Sequence, residues 1–463
     1  MEMPMQGQKR EQLGSRLGFL LVSAGCAIGL GNVWRFPFIT GQYGGGAFVL
    51  MYLFFLVLFA APIMVMEFSV GRASRLNVAA AFTKLEPKGT KWHYFGFLGL
   101  AGNYLLMMFY TTVSGWMLAY VWYSIKGDLY GLSPEAVGNF FGNMLSQPGT
   151  MLFWMTVAIA IGCVVCGIGL QRGVERVTKV MMSGLFIIML VLIVRSVTLP
   201  GAAAGLDFYL RPDFGRMAEN GIWNAVYAAM GQAFFTLSIG IGSMAIFGSY
   251  ISRERSLTGE SLNILVLDTS VALLSGLIIF PACFAFNVSP NAGPGLIFVT
   301  LPNVFNHMPG GYVWAVFFFI FMAFAALSTV VAVFENIISY GIDVKGWSRK
   351  KSAVINFFAL IAASAPCALG FNVFSGFEPL GPGTNVLDLE DFIVSNNLLP
   401  LGALVYLLFC CTRKGWGWDN FIAEADAGKG VKFPKALKPY FTYVVPVLMA
   451  IIFVQGYIDK FFS

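Results

Sequence analysis

The 463-residue chain is 57% hydrophobic and only 11% charged, with a mean hydropathy of +0.74. A water-soluble domain needs about 25% charged residues to cover its surface, so this composition excludes one and makes lipid the principal solvent. The net charge of +6 would suit a nucleic acid, but its distribution along the chain gives it another meaning.

In chain order, apolar runs predict helices over 16–40, 46–71, 94–125, 149–170, 174–199, 221–250, 260–286, 311–342, 352–373, 386–411 and 440–461. Each is long enough to span a bilayer as a helix and too long for the short alternating strands of a barrel. With the N-terminus placed in the cytoplasm, every Lys and Arg falls on the inner side except Arg35, Lys126, Arg195, Arg211, Arg216 and Lys460. That is the bias of the positive-inside rule, so the charge reports topology and calls for no nucleic-acid partner. The first run lacks a small-residue cleavage site and is expected to act as an uncleaved anchor. An odd number of crossings sends the C-terminus outside.

Two runs have glycine-rich or polar centres. The first reads Ala24-Gly-Cys-Ala-Ile-Gly-Leu-Gly-Asn32, and the sixth reads Phe234-Phe-Thr-Leu-Ser-Ile-Gly-Ile-Gly-Ser243. Glycine costs about 1 kcal/mol against alanine inside a helix, so helix is poorly specified there. Freed backbone groups at bilayer depth are tolerated only where they line a cavity or bind ions. Close glycine packing between helices is the competing explanation for either cluster alone. Two clusters five helices apart predict instead an inverted repeat with a midplane site. The repeats are 11–202 and 221–412, followed by an added helix at 440–461, all within one transmembrane domain covering 1–463.

Ionisable groups inside apolar runs mark functional positions, and Arg35, Glu67, Asp268 and Glu335 are the four that stand out. Asp268 lies in mid-helix, where a carboxylate stays charged only beside a cation; the alternative is a protonated Asp bonded to a neighbouring helix. Ala325, Ser328 and Thr329 share one helix face, although such hydroxyls often bond back to their own helix. Hard cations accept carbonyls, hydroxyls and carboxylates together. The seven cysteines all lie in apolar runs, so the Cys163–Cys166 spacing is read as packing and no disulfide is expected. Gly240, Gly242 and Ala245 fit a dinucleotide pattern only on paper, since no strand precedes them. With no P-loop and no HExxH, the chain is not expected to be an enzyme.

The stretches Arg16-Leu-Gly-Phe-Leu20, Gly29-Leu-Gly-Asn-Val-Trp-Arg-Phe-Pro37, Gly44-Gly-Gly-Ala-Phe48, Gly231-Gln-Ala-Phe-Phe-Thr-Leu-Ser238, Ala325-Ala-Leu-Ser-Thr329 and Asp388–Phe392 together closely resemble the neurotransmitter:sodium symporter family. The resemblance implies an all-α membrane protein of eleven transmembrane helices with unwound helices 1 and 6. It further implies sodium-coupled uptake of an amino acid across a bacterial inner membrane. A first sodium would be held by Ala27, Asn32, Thr236, Asp268 and the substrate carboxylate, and a second by Gly25, Ile28, Ala325, Ser328 and Thr329. The substrate would meet Leu30, Gly31 and Tyr110 through its carboxylate, and Phe235, Thr236 and Ser238 through its amino group. Leu106, Phe235, Ile241 and Val333 would line the side-chain pocket, with Ala27 and Ser328 also near the substrate. An outer gate would pair Arg35 with Asp391, and an inner gate Arg10 with Asp343 near Tyr250.

Departures from the family pattern carry information. Monoamine transporters resemble this segment but have Asp at the position of Gly29, which here argues for a substrate bearing its own carboxylate. Many chloride-requiring members have Asn at Asp268 and Ser at Ala272, so transport is expected to need no chloride. The family's inner Trp is Leu13 here, and Ser183 replaces the Pro that often follows Gly173 in the fifth helix. A hydrophobic or aromatic amino acid is the expected substrate. The alternatives are a membrane sensor that binds without transporting and, further off, a channel.

Overall fold

The computed structural model describes residues 11–219, 221–288 and 295–461. Among these the secondary structure is helical, with only two isolated bridges, Gly45 to Pro212 and Arg255 to Lys429. In chain order the helices are α1 (Arg16–Ala27), α2 (Gly31–Gln42), α3 (Gly46–Ser74), α4 (Val78–Leu85), α5 (His93–Lys126), α6 (Pro134–Ser146) and α7 (Pro148–Ile168). There follow α8 (Leu170–Val197), α9 (Ala202–Leu210), α10 (Phe214–Glu219), α11 (Ile222–Thr236), α12 (Ser243–Tyr250), α13 (Leu257–Ala285) and α14 (296–307). The last five are α15 (Gly311–Asp343), α16 (Arg349–Leu369), α17 (Val386–Cys411), α18 (Trp418–Ala425) and α19 (Lys435–Ile458).

Nine described helices are long and apolar enough to cross a membrane: α3, α5, α7, α8, α13, α15, α16, α17 and α19. The pair α1 and α2 makes a tenth if its two halves, bent by 53°, count as one span. Large apolar side chains stay exposed along the outer helices, among them Phe54 and Val57 of α3, Val180, Ile187 and Val194 of α8, and Val447, Ile451 and Val454 of α19. So extensive an apolar surface suits lipid and not water. The short helices α4, α6, α9, α10, α14 and α18 lie in segments where the hydropathy pattern predicts only connections. They are too short or too polar to show in a bilayer-length window.

Six stretches widen to π geometry, and five have a common cause. Gly31–Arg35, Leu56–Ala60, Leu296–Thr300, Phe392–Leu398 and Tyr440–Val444 are each followed, two residues on, by a proline: Pro37, Pro62, Pro302, Pro400 and Pro446. Proline offers no amide to the preceding turn and its ring pushes the i−4 carbonyl aside, which opens the helix at that point. The sixth, Leu170–Glu175, starts α8 without a proline. From Arg176 to Val197 the helix then runs unbroken past Ser183, where the family often has its Pro.

The core of the bundle is α5 against α15, with α1 lying on α15, α13 and α8. Glycine permits a very close approach between α3 and α12. A Cβ on Gly71 would stand 1.8 Å from the Ala245 carbonyl oxygen, and one on Gly248 would stand 2.4 Å from that of Phe68. Backbone cannot yield as a side-chain tip can, so overpacking here costs at least about 1–3 kcal/mol. Gly71→Ala is therefore expected to lower the thermal unfolding midpoint of the purified protein by several degrees. An unchanged midpoint would show that α12 slides freely along α3.

Candidate functional site

At the end of α1 the chain leaves helical geometry at Ile28, whose ψ is 97°. Carbonyls near this end turn toward α15. Ser328 Oγ lies 3.3 Å from the Ile28 oxygen and 2.9 Å from that of Ala325. Thr329 Oγ1 lies 3.3 Å from the Gly25 oxygen and 3.4 Å from those of Cys26 and Ile28. Gly25, Ile28, Ala325, Ser328 and Thr329 thus bring three carbonyls and two hydroxyls into one buried cluster.

A second cluster forms on the other side of the break. Asn32 Nδ2 donates to Asp268 Oδ1 at 2.8 Å and to Thr236 Oγ1 at 3.0 Å. Thr236 Oγ1 in turn donates to Asp268 Oδ2 at 3.0 Å. All three residues are fully buried and Ala27 is 4% exposed. No described Lys or Arg forms an ion pair with Asp268, so its charge is balanced only by dipoles. Among the described residues no three His, Cys, Asp or Glu cluster as a transition metal would need. Neutral oxygens with one carboxylate are donors that a hard cation accepts.

The matching interruption between α11 and α12 spans residues 237–242. Ser238, with φ of +50°, and the glycines Gly240 (φ +102°) and Gly242 (φ +82°) carry the chain through the left-handed region. Glu67 of α3 stabilises this turn: its carboxylate accepts from the Gly240 amide and from the Met244 amide, both at 2.8 Å. The sequence marks Glu67 as unusual, but only the folded chain shows what it binds.

Between the two interruptions lies a small cavity lined by Ala27, Gly29, Gly31, Leu106, Tyr110, Phe235, Ser238, Thr329 and Leu399. The Leu30 amide donates to Tyr110 Oη at 2.9 Å, and Ser238 Oγ donates to the Cys26 carbonyl at 3.1 Å. Gly31 faces the Phe235 ring so closely that a Cβ would meet it at 2.8 Å. Ile241 and Val333 are buried but are not among the residues lining this cavity. Leu399 is, and no sequence signal singles it out, because it is one leucine in an apolar run.

Above Phe235 and Tyr110 a larger cavity of about 350 Å³ is lined by Trp34, Arg35, Phe38, Leu387, Asp388 and Asp391 among others. Arg35 Nη1 lies 3.8 Å from Asp391 Oδ1, and its guanidinium sits 4.5 Å from the centre of the Phe235 ring. On the opposite side, Tyr250 Oη donates to Glu335 at 2.6 Å. Glu335 also pairs with Arg349 at 2.6 Å, which reaches Glu11 at 2.6 Å. Asp343 accepts from the Asn77 amide at 2.8 Å and from its side chain at 3.0 Å. Arg10, its expected partner, lies outside the described residues. The roles of Arg349 and Asn77 escape sequence reasoning, since both sit at helix ends where polar residues are ordinary.

All seven cysteines are buried and free, and Cys166 Sγ lies 3.3 Å from the Val331 carbonyl. This is the packing role read from the sequence.

Interrupted helices around a buried oxygen-rich centre define a class, that of helical membrane proteins built to hold small cations beside an organic ligand. The Sodium:neurotransmitter symporter family matches residues 10–133 and 135–461, and the chain belongs to it. YhdH of Bacillus subtilis (strain 168), named an uncharacterized sodium-dependent transporter, is 35% identical over 97% of this chain and 98% of its own. An uncharacterized sodium-dependent transporter of Haemophilus influenzae is 31% identical over 98% of this chain and all of its own. The crystal structure of MhsT in complex with L-phenylalanine superposes with a TM-score of 0.88 at 37% identity, covering 97% of this chain and 100% of that one.

Proposed function

We propose that this protein is a sodium-coupled symporter of an amino acid, hydrophobic or aromatic, working by alternating access. The observation that carries the proposal is the pair of buried oxygen clusters flanking the α1–α2 break, one of them holding the uncompensated carboxylate of Asp268. Sodium needs such ligands and provides the charge that Asp268 lacks. The first sodium takes the Ala27 carbonyl, Asn32, Thr236, Asp268 and the substrate carboxylate, with the Asn32 amide turned to present its oxygen. The second takes Gly25, Ile28, Ala325, Ser328 and Thr329.

The substrate carboxylate lies at the Leu30 and Gly31 amides and Tyr110, and its amino group at Phe235, Thr236 and Ser238. The side chain lies toward Leu106, Ile241 and Val333. Arg35 and Asp391 close the outer side over Tyr110 and Phe235; Arg10 and Asp343 close the inner side near Tyr250. MhsT is seen with L-phenylalanine, which supports an aromatic substrate here.

In this reading α11 and α12 act as one broken span, as α1 and α2 do, so the crossings number eleven. Repeats 11–202 and 221–412 are inverted, helix 440–461 is added, and the N-terminus is cytoplasmic with the C-terminus outside. The fixed negative charge of Asp268 beside the sodium makes an external anion unnecessary.

The test is uptake of labelled amino acids into proteoliposomes with and without an inward sodium gradient. Sodium-driven accumulation of phenylalanine or a similar amino acid is expected, unchanged when gluconate replaces chloride. Collapse in gluconate would refute chloride independence. Sodium-dependent binding without accumulation would identify a sensor instead.

A further inference from the structure

Most buried carboxylates in this protein are fully engaged. Glu67 holds two backbone amides, Asp268 is bonded to Asn32 and Thr236, Glu335 to Arg349 and Tyr250, and Glu424 to Arg72 and Arg253. Glu390 is different. It is only 4% exposed, and its Oε2 is the one buried carboxylate oxygen among the described residues with no hydrogen-bond partner.

Its surroundings offer no cation. From α16 the Cys367 thiol faces it, and from α5 the Thr112 hydroxyl reaches the same thiol. On its own helix the nearest ionisable groups are the acids Asp388 and Asp391. Among the described residues no Lys, Arg or His pairs with Glu390. A bare carboxylate cannot persist in such a place, whereas a carboxylic acid can.

Position gives this acid a purpose. Glu390 precedes the gate residue Asp391, about 100° around the helix from it. Asp391 faces the outer cavity with Arg35, while Glu390 faces inward against α5 and α16. The turn that carries both, Val386–Asp391, is bounded in front by the Asn385–Asp388 capping box and behind by the π stretch Phe392–Leu398. A short rigid turn between a cap and a widened stretch is suited to move as a unit, taking both acids with it.

We propose that Glu390 is a proton-binding site filled when the outer gate closes, so that closure takes up one proton. The inference rests on the gate assignment proposed above. The proton adds to a carboxylate oxygen of Glu390 and no other bond changes. In the open state the turn moves outward and water reaches the carboxylate, which ionises. The closed state therefore binds more protons than the open state, and lowering the pH favours closure. The closed-to-open ratio changes by at most about tenfold per pH unit for one proton.

Two readouts on the full-length protein test this without any substrate. Infrared spectroscopy of the wild type at neutral pH should show a neutral carboxylic-acid carbonyl band, a component of which disappears in Glu390→Gln. Ala228, which lines the outer cavities, is changed to Cys and labelled with a maleimide in both backgrounds; the native cysteines are buried. Labelling of the wild type relative to Glu390→Gln should fall toward equality as the pH is lowered. Identical infrared bands would overturn the proton site, and a ratio constant with pH would overturn its link to the gate. Glu390→Leu serves in both assays if Gln disturbs folding. Failure of amino acid uptake would refute the symport reading and leave both results standing.

Discussion

Replacing Asp268 with Asn is expected to weaken the apparent sodium affinity by about 10- to 100-fold, the equivalent of the roughly 1.5–3 kcal/mol that a charged partner adds to a buried polar contact. The substitution keeps the shape of the side chain and an oxygen to accept from Asn32. Its amide nitrogen must donate to Thr236 Oγ1 where the carboxylate accepts, and the one negative charge of that cluster is removed. Sodium titration of amino acid binding, followed by scintillation proximity in detergent, reads the effect directly. The Ser328 and Thr329 cluster carries no charge and is untouched, so the loss should fall on one of the two proposed sodium steps and the cooperativity of the curve should drop. An unchanged sodium affinity would show that Asp268 is protonated and structural.

Gly29→Ala is expected to reduce uptake to background. A Cβ at Gly29 would stand 2.3 Å from Tyr110 Oη and 2.4 Å from Thr329 Oγ1. The first neighbour belongs to the proposed substrate site and the second to a proposed cation cluster, and one methyl group must displace both. Gly231→Ala is the matched control, since a Cβ there has nothing within 4 Å and uptake should persist. Transport by Gly29→Ala at wild-type rates would mean that Tyr110 and Thr329 stand farther apart in the working protein than this packing allows.

Much of this architecture is legible in the sequence because membrane solvent makes the signals strong. Backbone at bilayer depth must be helical unless something compensates it, so the glycines at 25, 29 and 31 and at 240 and 242 announce the interruptions by their unsuitability for helix. Asp268 announces itself for the same reason. The geometry brings it against Asn32 and Thr236, which lie 236 and 32 positions away along the chain. What the sequence conceals is partnership among residues that look ordinary. Leu399 reaches the central cavity from the middle of an apolar run. Glu67 is visibly out of place, yet only folding shows that it serves the turn at 240–244. The short helices are hidden because amphipathic turns at a membrane surface have no bilayer-length signature, and the π stretches because proline predicts a disturbance without its form.

The carboxylate of Glu67 also bears on the orientation of the ligand. Of the two helix starts at the centre, that of α12 already has a protein anion bound to its amides. At the start of α2 the Leu30 amide meets only the neutral phenol of Tyr110. The positive ends of the two half-helices are therefore not equivalent partners for a zwitterion. An amino acid seated as proposed would find one attractive berth for its acid group and a crowded one opposite, which would fix a single direction of seating before any side-chain preference acts.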